Sequence, residues 1–227
     1  MNSKLWIVGF LSFTIVPLSI VASWVVKVDP FFHYHMPYTQ TYFYELYNQR
    51  SQNNGISRNF DYEGLITGTS MVENFKTTDV EKVFGYKFVK VPYSGGTYKE
   101  INDNIKLALD HNQELKVVIR GLDMMKFIEE KDAMRFDLGE YPTYLYNENP
   151  LDDVKYVFNR DIIFKTVYGM VTANNEEGFT PGITSFDSYS NWMERFTFGV
   201  NAVFPEGITV TKHSIEQVDI SEEEKKS

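Results

Sequence analysis

The chain reads as an α/β protein in which one membrane-spanning helix precedes a domain built on a mostly parallel sheet. Three features point there. Residues 5–26 carry no charge, residues 60–120 alternate short apolar runs with helical periodicity, and each of the three runs leads into a turn bearing glycine or serine. Strand and helix in alternation, joined by short connections, imply right-handed crossovers and a parallel sheet.

The apolar run is the first element. As a helix it would rise about 33 Å, enough to cross the hydrocarbon core of a bilayer. Val21-Ala22-Ser23 resembles a signal cleavage site, but a cleaved apolar region is typically only about 7–15 residues long, so an uncleaved anchor is expected. Pro17 would bend this helix without preventing the span. Lys4 flanks one end and Lys27 the other, a weak orientation signal. The bulk of the chain follows the anchor, which places the domain outside the cytoplasm of a single-pass protein of the cell membrane. The absence of cysteine from the 227 residues is compatible with a bacterial envelope protein.

Residues 1–27 hold two lysines and no acid, leaving 20 basic against 31 acidic side chains, a net −11. That balance excludes nucleic acid as a partner, since such binding depends on neutralising phosphates. It also opposes peripheral attachment to anionic lipid through overall charge. Residues 28–59 read as a juxtamembrane connector, with one helix expected near residues 42–49. His33 and His35 alternate beside Asp29; two imidazoles without a third ligand make a weak metal site, and interfacial side chains are the plainer reading. No metal or other cofactor is expected.

The domain is expected over residues 60–220. Leu65-Ile66 form a short strand running into Gly68, and Ser70-x-x-Glu73 matches the capping box that opens a helix. Phe88-Val89-Lys90-Val91 is a second strand closed by Pro92, followed by Gly95-Gly96 and a second box, Thr97 with Glu100. Ile101, Ile105, Ala108 and Leu109 share a helical face before a third strand, residues 115–120. Near-continuous apolar runs suit strands covered on both faces. Asn149-Pro150 followed by Asp152 and Asp153 predicts a helix start, with helical segments over residues 154–158 and 162–171. Residues 174–190 read as a loop, 208–211 as a further strand, and 221–227 as a disordered tail.

In this layout Ser70, Gly95, Gly96 and Asp123 emerge at the carboxyl edge of the sheet, where open α/β sheets bind ligands. A serine there could be a nucleophile, and the glycine amides could approach an oxyanion. The plainer readings are that Ser70 is a helix cap and that the glycines make a tight turn.

Gly68-Thr69-Ser70 after the first strand, the glycine turn after the second, and Gly121-Leu122-Asp123 after the third resemble the first three blocks of the SGNH/GDSL-type hydrolases. The likeness covers residues 61–123 and is nearest to the membrane-anchored bacterial branch that includes D-alanyl transfer to teichoic acids. It implies a three-layer sandwich of SGNH/flavodoxin-like type. It also implies Ser70 as nucleophile, Gly95 or Gly96 as oxyanion donor, and an ester in an envelope polymer or lipid-linked molecule as substrate. Two departures stand out. Asp123 occupies the place of the family's asparagine, and an ionised carboxylate cannot donate to an oxyanion. No Asp-x-x-His block precedes or includes His213, and His111 falls at the opposite edge, so the general base is unknown. A truncated or diverged member is the expectation. The activity implied is a membrane-tethered serine esterase or acyltransferase. The alternative is an inactive envelope protein that binds a ligand or partner in the same cleft.

Overall fold

In the computed structural model the described residues are 3–128, 130, 132–136 and 141–187. They form an α/β arrangement with short parallel sheets and one apolar amino-terminal helix. That helix, α1 (Ser3–Val28), runs without a break through Pro17, and it is long and apolar enough to cross a membrane. Its last two turns are embedded in the domain: Val25 and Val28 are fully buried. The chain leaves α1 through Asp29, whose backbone is left-handed (φ 44°). The Asp29 carboxylate accepts hydrogen bonds from the N–H groups of His33 (3.0 Å), Tyr34 (2.7 Å) and His35 (3.1 Å) and from the Tyr156 hydroxyl (2.8 Å). Burial still pushes its pKa above the ordinary carboxylate value.

The connector holds more structure than its sequence suggests. A two-residue strand, β1 (Phe43–Tyr44), precedes α2 (Gln49–Asn59), which begins where the expected helix of residues 42–49 ends. Asn48 is its cap, accepting from the Ser51 N–H at 3.2 Å. Residues 51–57 are all buried although only Ile56 is a large apolar side chain. Polar groups hold this helix in place: Asn53 donates to the Pro92 carbonyl (2.6 Å), Gln52 to the Glu45 carbonyl (2.9 Å), and Ser57 to Asn104 Oδ1 (2.9 Å). Buried polar groups so paired are tolerated, but they leave no apolar stripe to read.

The main sheet follows the sequence expectation closely. Strand β2 (Gly64–Thr69) leads through a 3₁₀ turn (Ser70–Asn74) into α3 (Thr77–Phe84), then β3 (Phe88–Tyr93), α4 (Tyr98–His111) and β4 (Val117–Arg120). All three strands are parallel, in the order β3-β2-β4, with Leu65 opposite both Val89 and Val118. Neighbouring residues of β2 serve two clusters: Leu65 joins Val89, Val91 and Ala108, while Ile66 joins Val72 and Phe88. This is the alternation expected of a strand with both faces covered. The expectation fails for β4, which is half-exposed, and for Leu109, which points outward. Pro92 lies inside β3 rather than closing it.

Two capping boxes were expected and one is present. Thr97 and Glu100 cap α4 reciprocally. Ser70 and Glu73 do not, because Ser70 opens a 3₁₀ turn whose cap is Thr69. Past β4 come two further 3₁₀ turns, then α5 (Val154–Val157), a π-helical turn (Ile162–Val167) and α6 (Tyr168–Ala173). Asn149 accepts from the Leu151 N–H in a turn ahead of α5 instead of capping it. Within the expected loop of residues 174–190, Gly182–Ile183 forms β5, parallel to β1. The expected strand at 208–211, His213 and the tail lie outside the described residues.

Candidate functional site

The carboxyl ends of β2, β3 and β4 bring three loops to one rim. The order β3-β2-β4 means that the chain leaves β2 first to one side and later returns to the other. The rim between β2 and β4 is therefore a topological switch point, the place where such sheets hold ligands. Gly68 and Gly121 face each other there. A Cβ at Gly68 would stand 2.7 Å from Val72 Cγ1, and one at Gly121 only 2.4 Å from the same atom. Bare backbone at both positions lets Val72 tuck in and pulls the 3₁₀ turn across the strand ends.

Ser70 is half-buried at the start of that turn, and the residue in the cap position is Thr69 rather than Ser70. Register sets its neighbours: Thr69 is opposite Tyr93, so Ser70 is level with Ser94 at the head of the glycine turn. On the other side, Thr69 Oγ1 donates to Asp123 Oδ2 at 3.4 Å, and the Tyr98 hydroxyl donates to the Asp123 carbonyl at 3.0 Å. Of the predicted positions, Asp123 is thus held against Thr69, the neighbour of Ser70.

The two glycines behave differently. The Gly96 N–H donates to the Tyr93 carbonyl at 2.7 Å, which spends it within the turn. Gly95 is left-handed (φ 57°), and its N–H has no partner among the described residues. Its carbonyl accepts from Arg135 Nη1 at 2.9 Å. A Cβ at Gly95 would lie 1.7 Å from that nitrogen, so the backbone favours glycine there and any side chain would displace the guanidinium.

Several supporting residues escape a reading of the sequence. Gln49, at the start of α2, spans both loops: its Nε2 donates to Glu73 and its Oε1 accepts from the Ser94 N–H, each at 2.5 Å. Arg50 donates to both Glu100 oxygens (2.7 and 3.3 Å) and to the Ser94 carbonyl (3.2 Å). The Lys90 side chain is 0% exposed, and its ammonium donates to the carbonyls of Glu73 (2.6 Å) and Phe75 (2.9 Å). Burial lowers its pKa to about 8. Lys90 alone had a visible signal, a charge inside an apolar strand. Gln49, Arg50 and Arg135 lie in stretches without periodicity.

The described histidines serve elsewhere. His33 Nε2 is 3.1 Å from Asp153, His35 contacts the Val26 and Met36 carbonyls, and His111 contacts the Leu107 carbonyl. His33 and His35 do not form a pair facing one way, since their backbones wrap around Asp29. Among the described residues no group of three metal-ligating side chains occurs. A cavity of about 860 Å³ lies between the exit of α1 and α6, with Phe31, Tyr44, Glu45, Tyr144, Asp161 and Met170 in its walls and none of Ser70, Gly95, Gly96 or Asp123 among its lining residues. Comparison with protein-family models, with curated proteins and with solved structures found no match to this chain.

Proposed function

We propose that the chain is a membrane-tethered serine esterase or acyltransferase of the bacterial cell envelope, with an SGNH-type three-layer domain held outside the cytoplasm. The observation that carries this reading is the Ser70 hydroxyl. It stands at the switch point of a parallel sheet, half-exposed and not engaged in capping the turn that it begins. The strand order matches the start of the 2-1-3-4-5 order of doubly wound sheets.

In the proposed reaction Ser70 Oγ bonds to the carbonyl carbon of an ester in an envelope polymer or lipid-linked donor. The alcohol leaves with a proton. Water or an acceptor hydroxyl then takes the acyl group and restores the serine. The Gly95 N–H and the Arg135 guanidinium, which lies against the glycine turn, are the donors assigned to the developing negative charge. Full-length protein in detergent, treated with a fluorophosphonate probe, is expected to carry the adduct on Ser70 and to lose it in Ser70→Ala. Folded protein that stays unlabelled refutes catalysis.

A second reading is favoured by Asp123. A carboxylate on the rim, in the place of a neutral amide donor, suits a site that binds without acyl transfer. It predicts no labelling and an unchanged cellular phenotype for Ser70→Ala.

A further inference from the structure

The end of α1 is packed against the domain: Ala22, Trp24 and Val26 lie against the cluster that contains Tyr156, Val157, Ile162 and Val167. Residues 5–20 are exposed throughout, a rise of about 24 Å, against a hydrocarbon core of about 30 Å. When α1 spans the bilayer, the elements that collar its last turns therefore lie at the membrane surface.

Those elements carry apolar side chains on their outer side. Phe164 is 66% exposed and Tyr168 54%. They are one helical turn apart, on the opposite side from Ile162, Thr166 and Gly169, which line the large cavity. Val154 and Phe158 are exposed beside them. The exposed charges interleaved with these residues are Lys155, Arg160, Asp161 and Lys165, and Lys165 is paired with Asp161 at 3.0 Å. Aromatic rings at headgroup depth are the pattern of an interfacial surface.

We propose that α5, the π-helical turn and the start of α6 form a bilayer-docking collar, with Phe158, Phe164 and Tyr168 inserted at the interface. This rests on the tethered reading of α1 and on none of the chemistry assigned to Ser70. The collar holds the domain in a set orientation to the lipid.

The chain has no cysteine, so single-cysteine variants of the full-length protein take one nitroxide each. Phe13→Cys, Phe164→Cys, Tyr168→Cys and Val83→Cys all alter exposed positions (82%, 66%, 54% and 79%). They are reconstituted into vesicles of phosphatidylcholine and phosphatidylglycerol, and collision with oxygen is compared with collision with a water-soluble nickel chelate. Oxygen is expected to dominate at 13, to exceed nickel severalfold at 164 and 168, and to lose to nickel at 83. Labels at 164 and 168 as aqueous as that at 83, with 13 still in hydrocarbon, would refute the collar and leave the tether standing. An aqueous label at 13 would refute both.

Discussion

Lys90 lies beneath the turn that presents Ser70, and its ammonium donates to the carbonyl of Glu73, the fourth residue of that turn, at 2.6 Å. A charged group at the centre of a buried strand thus closes the end of a 3₁₀ turn whose carbonyls would otherwise face protein interior. The Phe75 carbonyl is held by the same group.

The pH dependence of stability follows from that burial. The folded-state pKa of Lys90 is lowered to about 8 from 10.5. Between these values the unfolded chain holds the proton and the folded chain has released it, so the contribution of this group to stability rises with pH, by at most about 1.4 kcal/mol per pH unit. Below pH 8 both states are protonated and the contribution is flat. In full-length protein in detergent, urea unfolding at pH 7.5 and 9.5 is expected to show this gain in the wild type, and Lys90→Met is expected to lack it.

Ser70→Ala is expected to leave stability within about 0.5 kcal/mol of the wild type, because its hydroxyl caps nothing. Thr97→Ala removes a side chain that accepts the Glu100 N–H at 3.2 Å and should cost about 1 kcal/mol. Thermal unfolding of the two variants side by side checks both values. Equal losses would mean that Ser70 is a cap after all.

Gly95→Ala and Gly85→Ala separate backbone strain from a local clash. Both positions are left-handed, with φ of 57° and 72°, and each substitution should cost about 1–2 kcal/mol for that reason alone. Gly85 has open space around it, whereas Gly95 has Arg135 Nη1 where the methyl would go. Gly95→Ala is expected to be the more destabilising, and the excess should vanish in an Arg135→Ala background when denaturation midpoints are compared.

Gln49→Ala is expected to loosen the glycine turn. It removes the acceptor of the Ser94 N–H, a bond worth about 1 kcal/mol. Hydrogen exchange at Ser94 should speed up roughly fivefold, while exchange in β2 stays unchanged.

The parallel sheet was legible because its strands are short apolar runs whose flanking turns carry glycine, proline and serine. The same regularity made the α4 capping box readable from Thr97 and Glu100 alone. A parallel sheet also brings the loops that carry Ser70, Gly95, Gly96 and Asp123 to one edge, and that much followed from the sequence. What could not be read was the division of labour on that rim. Ser70 and Thr97 stand in the same local pattern, yet only Thr97 caps, because Val72 is drawn over Gly68 and Gly121 and Glu73 is taken by Gln49.

Local patterning therefore determined the apolar helix, the three strands and their polarity. Each is a property of neighbours in sequence: hydropathy over a window, periodicity over a turn, the backbone freedom of a glycine. Tertiary structure alone decided that α2 is buried by polar contacts, that Gly96 spends its amide within the turn while Gly95 shelters Arg135, and that the end of α1 belongs to the domain. These depend on partners far away along the chain, such as Gln49 with Ser94 or Asp29 with Tyr156. A hydrogen bond across such a distance leaves no trace in the spacing of either residue.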